Sequence, residues 1–253
     1  MASIKDDRGY NQMFKPSISM DIRTERRCEH ILSQMSFYVD KEEGENKFTI
    51  LEIGCGTGEL AAFMASKLNG VARITGSDIC IPFIEEAQRR HQFSNLDFRV
   101  LDFNRPETIG NDQFDYVVGN GILHHLYYQL DEALQNILKI LKPGGKMIFW
   151  EPNLYNPYCT LIFNTTKGMR KWAKLEPDEM ALRKGKIAKQ IENAGFSNVS
   201  VAYKDFLLPN TPAWLIKPVI ATGNILEKIS FLRWLSQSLF IVGTKNSKNQ
   251  IMF

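Results

Sequence analysis

Ile50-Leu51-Glu52-Ile53-Gly54-Cys55-Gly56-Thr57-Gly58-Glu59-Leu60 decides the fold. An apolar strand over Phe48–Ile53 carries an acid, Glu52, near its end, and glycines follow at alternate positions, Gly54, Gly56 and Gly58. Leu60-Ala61-Ala62-Phe63-Met64 then reads as the start of a helix. Strand, glycine turn and helix in that order form a ligand-binding turn at the carboxyl edge of a parallel sheet. Glycine suits such a turn because the backbone takes positive φ or approaches a ligand with no Cβ between them. A dinucleotide fingerprint, G-x-G-x-x-G, would put its third glycine at position 59, where the chain has Glu59.

Outward from this turn, strands and helices alternate. The first helix is expected over Ser19–Tyr38, behind a polar segment 1–16 in which Tyr10, Met13 and Phe14 are candidate cover residues. Helix Glu59–Leu68 closes at Asn69-Gly70, as a C-cap glycine does. Strand Ala72–Ser77 follows, and Ile81-Pro82 opens another helix. Further strands are expected at Leu96–Leu101, Phe114–Val118, Lys146–Trp150, Val199–Phe206 and Leu239–Thr244. Helices are expected at Gln129–Leu141 and Asp178–Asn193, with Lys142-Pro143-Gly144-Gly145 as a turn. Strands separated by helices imply βαβ units in a doubly wound, Rossmann-like α/β sheet. One domain of 253 residues is expected, divided into a cover region 1–40, a core 41–206, an apolar insert 207–236, and a last strand with its tail, 237–253.

Composition excludes several classes. Hydrophobic residues make up 44% and charged residues 23%, so the chain is globular rather than disordered. Net charge is only +3, which permits anionic partners without requiring nucleic acid. A modest basic cluster at 167–174 reads as a solvated surface or an anion contact. Cys28, Cys55, Cys80 and Cys159 show no zinc-like spacing and suit a reduced, cytoplasmic setting. Met1–Asp7 lacks the apolar core of a secretory signal.

Acids recur at the strand tips. Asp78, followed by Ile79, ends the second strand about twenty residues past the last glycine, where a carboxylate accepts from ribose hydroxyls or caps a helix. Asp102 with Phe103 ends the third, where the carboxylate suits an adenine amine and the ring frames the base or enters the core. Gly119 and Asn120, leaving the fourth strand, face the expected ligand, and His124-His125-Leu126 follows on a short helix.

The ordered set E-x-G-x-G-x-G, Ser-Asp-Ile, Leu-Asp-Phe, Phe-Asp-Tyr-Val-Val, Leu-His-His-Leu and Leu-Lys-Pro-Gly-Gly resembles class I S-adenosylmethionine-dependent methyltransferases of the methyltransferase-11/ubiquinone-biosynthesis-like group. The resemblance spans residues 48–150, and Ala194-Gly195-Phe196 extends it. It implies a seven-stranded sheet with an antiparallel last strand. It also implies S-adenosylmethionine as cofactor, its amino acid end held by Glu52, Gly54, Cys55, Gly56 and Gly58, its ribose by Asp78, and its adenine by Asp102 with Phe103.

The sulfonium carries the reactive methyl, so the protein must chiefly place a nucleophile in line with it. Where that nucleophile needs a base, His125 is the first candidate and His124 the second, each set against a structural histidine. No second histidine or carboxylate stands at a ligand spacing, so no metal is expected. Glu151, Asn153, Tyr155 and Tyr158 follow the fifth strand at the edge that adjoins an acceptor. The insert 207–236 is apolar and punctuated by Lys217, Lys228 and Arg233, and Pro209, Pro212, Pro218 and Gly223 interrupt it too often for a spanning helix. It reads as a lid, a dimer contact or a segment resting on a membrane surface, so monomer and homodimer both stand.

The expected activity is methyl transfer to a small, hydrophobic or lipid-linked acceptor. A soluble natural product is the runner-up. A nicotinamide oxidoreductase and a non-catalytic scaffold are the rivals, and no nucleic-acid partner is expected.

Overall fold

A computed structural model of the chain describes residues 17–36, 48–103, 112–163, 167–172, 175 and 179–247. Helix α1 (Ile18–Leu32) starts at Ser17, whose hydroxyl accepts from Met20 N, and gives way to turns at Ser33, short of the expected end. Phe37, Tyr38 and the candidate cover residues Tyr10, Met13 and Phe14 lie outside the described residues. Next come β1 (Phe48–Ile53), α2 (Glu59–Lys67), β2 (Ala72–Asp78), α3 (Ile81–Arg90), β3 (Leu96–Val100) and β4 (Phe114–Asn120). A 3₁₀ segment (Leu123–Gln129) runs into α4 (Leu130–Ile140), then β5 (Leu141–Pro152), α5 (Pro157–Phe163) and α6 (Lys167–Trp172). The chain continues with α7 (Lys184–Asn193), β6 (Phe196–Lys204), α8 (Ala213–Leu226), a 3₁₀ turn (Arg233–Leu235) and β7 (Ser238–Lys245).

The seven strands form one sheet in the order β3-β2-β1-β4-β5-β7-β6. β1 pairs in parallel with both β2 and β4, so Glu52 stands between Gly76 and Val118. β7 runs antiparallel to β5 and β6, as the family resemblance implies. The order reverses between β1 and β4, and their carboxyl tips open the crevice in which such sheets bind ligands. Alternate residues feed opposite faces. Leu51, Val117, Met147 and Ile241 join one buried cluster with Leu134, Ile137 and Ile191 of α4 and α7. Ile50, Val118, Ile148 and Val242 join the other, with Ile31 of α1 and Leu60 and Met64 of α2.

Three of the departures from the sequence expectation have a tertiary reason. Lys142–Gly145 belongs to β5 as an irregularity, because Leu141 already pairs with Phe114 and Lys142 Nζ reaches Asp115 at 2.7 Å. α7 starts six residues late because the chain before it is used as a strap: Leu182 N donates to Pro152 O, Leu154 N to Leu182 O, and Met180 N to His124 O. α8 continues through Pro218 rather than breaking there, with Ile216 and Gly223 turned inward. Gly223 lets that helix close on Phe206, which would lie 3.1 Å from an added Cβ.

Candidate active site

The glycine turn is built for close approach. Gly54, Gly56 and Gly58 all have positive φ. A Cβ on Gly54 would meet Ile122 at 2.6 Å, and one on Gly58 would meet Phe98 at 2.6 Å, so protein fills those two sides. A Cβ on Gly56 would meet nothing within 4 Å, so the middle of the turn faces open space. Cys55 donates its N–H to Ser77 O while its thiol is buried in the core, so only its backbone belongs to the turn.

Carboxylates surround this cradle. Glu52 is buried beneath it, and Oε2 has no hydrogen-bond partner among the described residues. Burial, aided by the like charge of Glu59 and opposed by the Ala61 amide, pushes its carboxyl up to about 8. Asp78 accepts from Gly56 N and Cys80 N, each at 2.9 Å, and burial raises its pKa. These bonds brace the turn and the entry to α3, and each oxygen keeps a second lone pair for a ribose hydroxyl. Ile79 beside it is 51% exposed, an apolar flank for a base. An open glycine turn, an orphaned buried carboxylate oxygen and an acid at the next strand tip fit a cationic nucleoside donor such as S-adenosylmethionine.

Several expected site residues do other work. Phe103 is buried in the core beneath α4, because β3 ends at Val100 and the chain turns inward. Asp102 stays half-buried at the strand exit. Gly119 is packed under Phe149 and Ile122, which would lie 2.5 and 2.7 Å from a Cβ, rather than facing a ligand. Asn120 turns toward the first helix, where its Oδ1 accepts from Arg27 Nη1 at 2.6 Å. Sequence reasoning missed that buried cluster. Arg23 and Arg27 both donate to Asp205 Oδ2, and Arg27 also reaches Ser238 and lies 5.0 Å over the Trp150 ring. Burial lowers the Arg27 guanidinium to about 9, with Arg23 adding repulsion and Asp205 opposing both. Asn153 is fully buried as a clamp: its Nδ2 donates to Trp234 O and Ser236 O, and its Oδ1 accepts from Tyr155 N. Of the four expected acceptor-side residues only Tyr155 and Tyr158 are exposed.

The central chemical group is a histidine between two carboxylates. Glu151, 1% exposed at the end of β5, accepts from Ile122 N and Leu123 N through Oε1 and from His124 N through Oε2. These bonds satisfy the orphan amides that open the 3₁₀ segment. Oε2 also meets His124 Nδ1 at 2.8 Å, and His124 Nε2 faces Glu179 Oε1 at 3.3 Å. Burial draws the imidazole pKa down, but hydrogen bonds and charge from the two glutamates outweigh it and push it up to about 9. Arg170 Nη2 donates to Glu179 O at 2.9 Å, so part of the basic cluster seen in the sequence anchors this strap. The half-buried His125 ring lies 4.2 Å from that of His124. The fold also assembles a group that no spacing in the sequence shows. His124, His125 and Glu179 place one ligand-type atom each within 4.8 Å of one another, because Glu179 arrives from far along the chain. Two of the three are already joined as imidazole and carboxylate, so a cation there would compete with that pair.

Known proteins share this fold. Residues 51–147 match the family model described as a methyltransferase domain. The chain is 28% identical over 206 residues to the highly reducing polyketide synthase easB of Emericella nidulans, covering 76% of this chain and 8% of that protein. It thus spans less than a tenth of the length of such curated relatives. Among solved structures it is similar to the CurJ carbon methyltransferase, with a TM-score of 0.62 and 20% identity over 93% of this chain and 57% of that one. It is also similar to the CMeT domain of the citrinin polyketide synthase, with a TM-score of 0.59 and 16% identity over 90% and 52%. Glycine turn, sheet order and family model agree: residues 51–147 match a methyltransferase domain, and the sheet that carries them is that of the class I S-adenosylmethionine-dependent methyltransferases.

Proposed function

We propose that this enzyme methylates carbon: a C–H acid flanked by carbonyls on an apolar acyl acceptor, deprotonated by His124. The observation that carries this reading is the buried contact of 2.8 Å between Glu151 and His124 Nδ1. A carboxylate on Nδ1 fixes the tautomer and leaves Nε2 as the proton-accepting atom. An amine acceptor attacks through its own lone pair and needs no such base, whereas a carbon acid does. The polyketide synthases among the relatives, and the carbon methyltransferase among the similar folds, support the same choice.

S-adenosylmethionine, when bound, supplies an electrophilic methyl on a sulfonium, and the glycine turn with Asp78 would hold it. His124 Nε2 takes the acceptor proton and leaves the electron pair on the acceptor carbon, which the methyl supplied by the bound donor would face. Glu179 Oε1 faces Nε2, so the acidic carbon must take its place there. Tyr155 and Tyr158 offer an aromatic rim for the chain. The test is transfer from a trideuteriomethyl donor to a β-ketoacyl thioester, with the label located by NMR. Label on the carbon between the carbonyls bears the reading out, and label on oxygen, or on an amine acceptor instead, overturns it.

Two further results are expected. Asp78→Ala should weaken S-adenosylmethionine binding by ~1–3 kcal/mol through lost charge-assisted hydrogen bonds. Calorimetry reads this directly, and an unchanged Kd would remove the ribose assignment. The pH profile tests the base. With its pKa near 9, His124 is protonated at neutral pH, so kcat/KM should climb as pH rises toward 9. Glu179→Gln removes one of the two carboxylates that raise that pKa, so the rising limb should move to lower pH. A limb that stays put would separate Glu179 from the base.

A further inference from the structure

We propose that the outer face of α8 and the turn after it seat the protein on an anionic phospholipid surface. The helix is apolar on two sides, and only one of them is used. Ile216 and Gly223 face inward, with Gly223 against Phe206. At 3.6 residues per turn, Trp214, Pro218, Ala221 and Ile225 fall on the opposite side, and all four are exposed. Trp214 is 76% exposed, Ile225 62% and Phe231, just beyond the helix, 73%. Single exposed hydrophobics are ordinary on a protein surface, but a tryptophan and an isoleucine on one helix face, with an exposed phenylalanine six residues further along the chain, are more than that.

Charge selects the occupant. Lys217 borders this face, Lys228 follows the helix, and Arg233 lies beyond Phe231, all three exposed. The one acid between them, Glu227, is half-buried and paired with Lys204 Nζ at 2.7 Å, and it also accepts from Asp205 N. Unneutralised cations flanking aromatic and aliphatic side chains match the headgroup boundary of an anionic membrane, where aromatic rings sit among lipid headgroups and lysines meet lipid phosphates. No described helix is long and apolar enough to cross a membrane, so contact through this face would be peripheral. The face also lies beside the acceptor edge. Asn153, two residues after Glu151, donates to Trp234 O, so the turn that carries Arg233 and Trp234 is bonded to the strand exit of the His124 dyad.

The full chain is tested by sedimentation with vesicles of phosphatidylcholine alone and of phosphatidylcholine with 30% phosphatidylglycerol, roughly the anionic fraction needed for a strong surface potential. Binding is expected to the anionic vesicles only, weakening with salt. Trp214→Ala with Phe231→Ala should lower partitioning at least tenfold, and Lys217→Gln with Lys228→Gln should lower it and flatten its salt dependence, with circular dichroism unchanged because all four side chains are exposed. Quenching of tryptophan fluorescence by brominated lipid, reduced in Trp214→Phe, places the helix at the acyl boundary. Equal binding to both vesicle types, or to neither, overturns the proposal. So does concentration-dependent dimerisation that vanishes in Trp214→Ala, which assigns the face to a second copy of the chain. None of these readouts depends on methyl transfer.

Discussion

His124→Ala should lower kcat for methyl transfer by roughly 10²–10⁴-fold, the range that a positioned general base supplies, while the Kd for S-adenosylmethionine stays within a factor of about three. The separation follows from geometry. The dyad lies beyond β4 and β5, whereas the cofactor cradle is built on β1 and β2. Glu151→Gln should show a similar catalytic loss together with reduced thermal stability. Glu151 accepts three backbone N–H groups as well as the imidazole, and an amide nitrogen in place of either oxygen sets donor against donor. Leaving buried groups so mismatched costs ~1–3 kcal/mol. Stopped assays below the melting transition, paired with thermal melts, separate the two effects. Parental kcat in His124→Ala would end the base assignment and favour an acceptor that ionises unaided.

The second large effect distinguishes two glycines of one turn. Gly58 and Gly56 both have positive φ, so a side chain at either strains the backbone by ~1–2 kcal/mol. At Gly58 the added methyl also meets the Phe98 ring at 2.6 Å. That ring is wedged against Gly76 as well, so it cannot swing aside, and overpacking adds ~1–3 kcal/mol. Gly58→Ala should therefore lower the melting temperature sharply. Gly56→Ala has room in the free protein, so it should melt close to the parent yet lose at least tenfold in cofactor affinity, because its methyl projects into the space the ligand needs. Differential scanning fluorimetry with and without S-adenosylhomocysteine reads both quantities. A Gly56→Ala protein that binds as tightly as the parent would move the cofactor away from the turn.

The fold was legible because its deciding signals are local. Glu52 through Gly58, the strand-end acid Asp78 and the alternation of strands with helices follow from neighbouring residues, and the sheet order agrees with them. The site was legible only in part because its chemistry is assembled across the chain. Glu151 was read as a residue facing the acceptor, since nothing near it in sequence announces His124 or the amides of the 3₁₀ segment. Glu179 went unmarked inside an expected helix that the strap to Pro152 shortens. Asn120 and Asn153 looked like ligand contacts because side-chain amides suit them, but Arg27 and the carbonyls of Trp234 and Ser236 bind them first. Phe103 illustrates a harder ambiguity: an aromatic at a strand tip serves a base or a core equally well, and only the inward turn after Val100 decides.

The first helix is fastened to the body by two kinds of force. Its later half, with Cys28 and Ile31, is held by apolar burial, which water opposes undoing. Ahead of these, Arg23 and Arg27 meet on a single carboxylate, and ions that part into solvent recover much of their hydration. The two ends should therefore let go unequally, the leading turn lifting first while the trailing turn serves as pivot.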